Sequence, residues 1–179
     1  VGHNAQDLWD AWGNLPLMFG PDAVDNVWDL AWPDHPLTNG GLWSLYEADD
    51  AREEQFGRAM TSIESLGGWA MAMDGPFGNT NVADDDGTIT RLIDVGGNLG
   101  HFLHKVLVAN PKKQGILFDR EPVLVNARKL WNEADGIYHD AGVEQERMTM
   151  VTGDFFNVDS IPDAQDGDIY YMRYILHDW

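Results

Sequence analysis

The sequence predicts an α/β fold: an open, incomplete parallel sheet in the second half, preceded by a mainly helical first half. Three observations carry this expectation. Residues 91–119 read as strand, glycine turn, helix, strand, acid. Residues 50–73 hold apolar side chains at helical spacing. Two later apolar runs, at 148–151 and 168–176, read as a third strand and a longer fourth strand with its tail turning out.

The organising stretch opens with Arg91-Leu92-Ile93-Asp94-Val95, a short apolar run of a buried strand. Gly96-Gly97-Asn98-Leu99-Gly100 follows, and then a helical pattern from His101 to Ala109 with Phe102, Leu103, Val106 and Leu107 as its apolar face. Gly115-Ile116-Leu117-Phe118 forms the second strand and ends on Asp119. This is the opening βαβ unit of a nucleotide-binding sheet. Glycine permits a sharp turn and close approach of a ligand to the backbone. The helix N-terminus offers unpaired N–H groups. Asp119 can accept hydrogen bonds from ribose hydroxyls. The turn lacks a full G-x-G-x-x-G because Asn98 stands where the third glycine is expected. Asn tolerates a left-handed backbone better than other side chains, so the turn can survive. The plainer reading is an ordinary strand-to-helix turn.

The chain has 179 residues, 44% of them apolar, enough for one large domain or two small ones. It has no cysteine, which leaves no disulfide framework and no thiolate metal site. The charge of −19 argues against nucleic acid and anionic membrane surfaces as partners. Residues 1–90 hold 16 acids against two bases, and residues 91–179 hold 14 against nine, which suggests two distinct regions, with a well-solvated surface as the plainer cause of the acidity itself. No run approaches the roughly 20 apolar residues of a membrane span, and no signal peptide opens the chain. A cytoplasmic location is expected. The first residue is Val1, so the N-terminus is expected to be processed or incomplete.

Residues 1–40 place Trp9, Trp12, Trp28 and Trp32 among turn signals, which suggests short helices whose tryptophans are buried in a core or against a partner. In the 50–73 helix, Asp50 with Glu53 suggests a capping box, and Phe56, Ala59, Met60, Ile63 and Leu66 follow helical spacing. Its plain role is core; its functional role would have Met60 and Trp69 line an apolar pocket for a flat substrate, with Phe56 and Phe77 adding aromatic surface. Residues 74–90 are turn-rich and acidic and read as a linker.

After Asp119, Pro122 suits a helix start, and Val125, Leu130 and Trp131 suggest a helix to about residue 141. Met148-Thr149-Met150-Val151 precedes Gly153-Asp154-Phe155-Phe156, and the last run, from Asp168 to Leu176, leads to His177-Asp178-Trp179. Ligands bind outside the carboxyl ends of parallel strands. Those ends bring Gly96, Gly97, Asp119, Asp154, Phe155 and the stretch from Arg173 to His177 together. Asp154 could accept from an adenine amino group and Phe155 could cover the ring; a turn with a helix cap is the plainer reading of Gly153-Asp154. His101 and His104 on one helix, with His139-Asp140 elsewhere, show no third metal ligand and read as solvated helix faces. No metal site is expected.

The second half resembles the S-adenosylmethionine-dependent O-methyltransferases of small molecules, the caffeic-acid type and its bacterial and fungal relatives. The resemblance rests on residues 92–100, 115–119, 153–156 and above all Leu176-His177-Asp178-Trp179. Phe56-Gly57-Arg58-Ala59-Met60 is similar to the segment that joins that family's helical dimerisation region to its catalytic domain. The resemblance implies a Rossmann-like class I methyltransferase sheet at 86–179. It implies a helical dimerisation and substrate-lining region with a linker at 1–85. It implies S-adenosyl-L-methionine as cofactor, a small aromatic hydroxyl as acceptor and a homodimer at full length. It assigns Asp94, Gly96 and Gly97 to the methionine part of the cofactor, Asp119 to the ribose, Asp154 and Phe155 to the adenine, and Trp179 to the adenosine face. Arg173 stands where the family usually has Lys, and His177 stands at the general-base position. A chain ending at Trp179 lacks the helix and three strands that follow in such enzymes, so a fragment or degenerate copy is expected. A nicotinamide-dependent oxidoreductase and a non-catalytic, cofactor-binding or dimerising pseudoenzyme remain as alternatives.

Overall fold

The computed structural model describes residues 6–63, 90–132, 136 and 145–176. By contact density the chain divides into two compact units, Val1–Ala59 and Met60–Trp179. The expected boundary at 85/86 lies outside the described residues, as do Trp69, Phe77, His139, Asp140, His177, Asp178 and Trp179.

The first unit is built from α1 (Gln6–Gly13), α2 (Trp28–Ala31), α3 (Gly41–Glu47) and the start of α4 (Asp50–Ile63). Its core gathers Ala11, Val27, Trp28 and Leu45, with Trp32 packed against them. Buried indoles carry a polar N–H that must find an acceptor. The Trp28 indole donates to the His35 carbonyl at 2.6 Å and the Trp32 indole to the Asp7 carbonyl at 3.0 Å. Of the four tryptophans expected in a core or against a partner, Trp28 and Trp32 pack in this core, while Trp9 and Trp12 are exposed in this unit. The expected capping box at Asp50 is also displaced by one residue. Asp49 accepts from the Ala51 and Arg52 amides at 3.0 and 3.2 Å, so Asp49 is the cap and Asp50 opens the helix. The reason is geometric: a cap serves the second and third helical N–H groups, and Asp49 is the acid at that distance.

In the second unit, β1 (Arg91–Val95), α5 (His101–Ala109), β2 (Gln114–Asp119), α6 (Glu121–Asn132), β3 (Met148–Thr152) and β4 (Asp168–Met172) form a βα-alternating layer. The four strands are all parallel, in the order β3-β2-β1-β4. Strand alternation divides the core. Leu92 and Leu117 face the cluster of α5 and α6, with Leu103, Leu107, Leu124 and Trp131. Ile93, Val95, Ile116 and Phe118 face the other side, with Val151, Phe155 and Ile161 against them. Residues Leu92, Ile93, Leu117 and Phe118 are almost wholly inaccessible, as expected of strands covered on both faces.

Two long-range devices hold the layer in register. Arg91 and Asp168 are partners at the start of β1 and β4, and the guanidinium grips the carboxylate through Nε at 2.8 Å and Nη2 at 2.5 Å. That pairing holds the Asp168 carboxyl below its ordinary range. At the far end of α5, Arg147 donates to the carbonyls of Leu107, Asn110 and Lys113 at 2.8, 2.6 and 3.1 Å. A cation there meets the negative end of the helix and satisfies carbonyls that lack helical partners.

Local expectations are refined. The helix after Asp119 is described from Glu121 to Asn132, with most of the stretch to its expected end near residue 141 outside the described residues, and Val125 points to solvent while Val123, Leu124, Ala127 and Trp131 are buried. The fourth strand stops at Met172, because Tyr174 adopts a left-handed backbone (φ 55°) that no strand can continue. His101 and His104 are partly buried rather than solvated, with the His104 ring edge-on to Trp131 at 5.4 Å.

Burial, then the charge of Lys105 and the neighbouring His104, lowers the His101 pKa to about 4. Its unfolded value is near 6.5. Between those two values the unfolded chain binds the extra proton, so stability rises with pH across that window. Acidification from pH 7 to pH 4 is therefore expected to lower the melting temperature. His101→Gln is expected to flatten the fall between pH 6.5 and 4, measured by thermal melts across that range; an unchanged slope would remove His101 as its source.

Candidate functional site

The crevice lies where the strand order reverses. β1 sits between β2 and β4, so the connections leave β1 and arrive at β4 on opposite sides of it. This switch point is where parallel open sheets bind ligands. The register places the strand ends level: Val95 pairs with Phe118 and with Met172, and Asp119 pairs with Thr152. The residues beyond them, Gly96-Gly97, Asp119, Gly153-Asp154 and Arg173, thus share one edge.

The glycine turn has three constraints. Gly96 has φ 69°, and its N–H donates to the Phe118 carbonyl at 2.8 Å, which extends the β1–β2 ladder by one step. At Gly97 a Cβ would stand 2.5 Å from Leu117 Cδ1 and 2.7 Å from the Asp94 carboxyl. Hydrogen is therefore the only substituent that fits, and the buried Asp94 packs directly beneath the turn. Asn98 has φ 54°, the left-handed conformation expected from its identity.

Asp119 is the organising acid. One carboxylate oxygen accepts from the Asn98 amide at 2.8 Å and the other from the Arg120 amide at 2.8 Å. Burial raises its carboxyl above the ordinary value, while the two amides and the Arg120 charge act in the opposite sense. The result is a fixed carboxylate that also ties the glycine turn to the end of β2. Each carboxylate oxygen has a second lone-pair direction. The pair can therefore accept from two neighbouring hydroxyls, as a ribose presents them.

Asp154 is exposed, and its Oδ1 accepts from the Phe156 amide at 2.9 Å, an Asx-type turn. Ser160 braces that turn, accepting from the Asp154 amide at 3.0 Å and donating to its carbonyl at 2.7 Å. Phe155 packs on the Val95 and Phe118 side of the sheet, with the Phe156 ring 4.7 Å away. The Arg173 guanidinium lies 4.7 Å from the centre of the Tyr174 ring and 5.8 Å from that of Phe102. Phe102 in turn stacks on Tyr171 at 4.5 Å. Met60 lies on α4 and is partly buried.

Several supports of this site are absent from the sequence reading. Trp131 donates from its indole to the Leu99 carbonyl at 3.0 Å, holding the glycine turn from α6. Glu121 binds Arg128 at 2.6 Å and Thr152 Oγ1 at 2.5 Å, and Arg128, then Thr152, holds its carboxyl down at about 2. The seven-residue spacing of Glu121 and Arg128, two helical turns, was a usable signal. The Trp131 contact had none. Among the described residues no three His, Asp or Glu side chains come together as a metal site, and no helix is long and apolar enough to cross a membrane.

A parallel sheet ordered 3-2-1-4, with a glycine turn after its first strand and an acid after its second, defines a Rossmann-like cofactor-binding domain. A family model described as the O-methyltransferase domain matches residues 34–179, and the chain belongs to that family. It is 32% identical over 138 residues to O-methyltransferase 12 of Dictyostelium discoideum, covering 77% of this chain and 31% of that protein. It is 31% identical over 144 residues to the mitomycin biosynthesis 6-O-methyltransferase of Streptomyces lavendulae, covering 80% of this chain and 35% of that protein. Among solved structures, the mitomycin 7-O-methyltransferase MmcR superposes with a TM-score of 0.67 at 28% identity, over 99% of this chain and 44% of that one. The chain thus spans about a third of the length of these curated relatives and under half of the solved structure. The fold is that of the class I S-adenosylmethionine methyltransferases, as the resemblance implied.

Proposed function

We propose that the complete gene product transfers a methyl group from S-adenosyl-L-methionine to a phenolic hydroxyl of a small molecule. The observation that carries this reading is the Asp119 carboxylate, fixed at the switch point by the Asn98 and Arg120 amides at 2.8 Å each. Its two oxygens suit a ribose diol, and Gly96, Gly97 and Asp94 shape the tightly packed turn that borders the methionine part. Asp154 and Phe155 border the adenine and Arg173 contributes a cation at the end of β4. Trp179 covers the adenosine, and Met60 and Trp69 line the acceptor pocket. The names of the relatives, a mitomycin O-methyltransferase among them, support a small-molecule acceptor. A homodimer, a helical region at 1–85 and a cytoplasmic location complete the proposal.

When bound, the cofactor supplies an electrophilic methyl group on a sulfonium. The protein's part is to hold the acceptor oxygen in line and to take its proton. A phenol with a pKa near 10 is protonated at neutral pH, and a neutral imidazole with a pKa near 6.5 is suited to receive that proton. His177 has this role.

Calorimetric titration with S-adenosylhomocysteine, with NAD as control, tests the cofactor. Saturable binding of the former alone is expected; binding of NAD alone would sink the proposal in favour of a dehydrogenase. His177→Ala in the complete protein is expected to lower turnover at least tenfold, since general-base catalysis typically contributes about 10²–10⁴. Cofactor affinity should stay within about threefold, because the base touches the acceptor. Equal turnover would remove His177 from the mechanism. Binding without turnover in the unsubstituted protein would mark a pseudoenzyme.

A further inference from the structure

Among the described residues, two non-glycine residues have left-handed backbones, Asn98 at φ 54° and Tyr174 at φ 55°, and they flank the switch point from adjacent strands. Asn98 suits that conformation; Tyr174 does not, since a bulky side chain there is strained. The turn at Tyr174 ends β4 and redirects the next residue. Ile175 then lies over the glycine turn: a Cβ built on Gly96 would stand 2.5 Å from Ile175 Cδ1 and 3.1 Å from Ile175 Cγ1. Gly96 is itself held by its bond to the Phe118 carbonyl. On the other side of the turn, the Arg173 guanidinium faces the Phe102 and Tyr174 rings. The segment after β4 and the turn after β1 are thus fitted to each other through one side chain.

We propose that Ile175 is a positioning residue, a wedge seated in the notch of Gly96 that sets the conformation of the cofactor-binding turn. The proposal rests on the cofactor assignment above. The strained backbone at Tyr174 is what delivers the wedge. Because His177 follows Ile175 by two residues, the same contact links the placement of the cofactor turn to the chain that leads into the proposed base. This gives Gly96 a role beyond its left-handed φ: its missing side chain is the space that Ile175 Cδ1 occupies.

A reciprocal substitution cycle in the complete gene product tests this, read as S-adenosylhomocysteine affinity by calorimetry, with thermal melts reporting folding. Gly96→Ala introduces the Cβ that meets Cδ1. Ile175→Val removes Cδ1 and keeps the branched Cβ. Gly96→Ala is expected to weaken binding at least tenfold and Ile175→Val to weaken it by a smaller factor. The double variant is expected to bind at least threefold tighter than Gly96→Ala alone, because the two changes are complementary in space. The recovery will be partial, since Ala keeps the backbone strain at positive φ. A double variant that binds no better than Gly96→Ala overturns the wedge. A fold lost in Gly96→Ala and regained in the double variant supports it equally, and a fold lost in both overturns it. If the unsubstituted protein fails to bind S-adenosylhomocysteine, the functional reading falls and this inference with it. Binding by the unsubstituted protein with an additive cycle removes only the wedge.

Discussion

Asp119→Ala is expected to weaken S-adenosylhomocysteine binding by about 10²–10⁴, which corresponds to two charge-assisted hydrogen bonds of roughly 1.5–3 kcal/mol each. Two losses combine. The ribose diol loses its acceptor, and the turn loses the bond from the Asn98 amide to the carboxylate at 2.8 Å. Asp119→Asn separates them in part. It keeps one carbonyl oxygen but replaces the other with a donor, so one of the two amides, Asn98 or Arg120, faces an N–H. Calorimetry on both variants, with thermal melts as control, checks this. Affinity within threefold of the unsubstituted protein in the Ala variant would remove Asp119 from the cofactor site.

Trp131→Ala is expected to cost about 3–5 kcal/mol of stability, the range for deleting a large buried aromatic. Folded domains have about 5–15 kcal/mol in all, so this single change can unfold much of the protein. Trp131 lies in the core with Leu103, Leu117 and Leu124, and its indole N–H bonds to the Leu99 carbonyl at 3.0 Å. Gly100 is the reverse face of the same fit, since a Cβ there would come within 2.9 Å of that indole nitrogen. Trp131→Phe keeps most of the apolar burial and drops the hydrogen bond. It should cost less in urea unfolding yet still loosen cofactor binding, because Leu99 belongs to the turn. Equal stability in the Ala variant would mean that the α6 contact contributes little to holding the layer together.

The parts legible in the sequence share a property: their determinants lie within a few residues of one another. The strand at Arg91–Val95 and the helix at His101–Ala109 follow from a buried apolar run and a 3.6-residue period. Asn98 takes the left-handed turn because its own side chain tolerates it. Asp119 ends the second strand because the apolar run stops there. From those residues alone, the place of the glycine turn and of the acid that ends the second strand could be read.

The parts that the structure decided depend on residues far apart in the chain. The cap falls at Asp49, one position before the expected Asp50, because spacing alone does not say which acid reaches the second and third helical amides. The tail of the fourth strand is expected to turn out, but where it does so is set at Tyr174, which turns left-handed, a strain held by its surroundings and opposed by its own preference. Arg147 reaches back to the end of α5, Trp131 reaches back to Leu99, and Ile175 meets Gly96 only because β1 and β4 are neighbours. Local periodicity says which residues form a strand and which face is buried. Strand order and register decide which distant side chain fills the space beside a given glycine. At this site the chain's own local chemistry determined the turn and the acid, and tertiary packing determined what holds them in place.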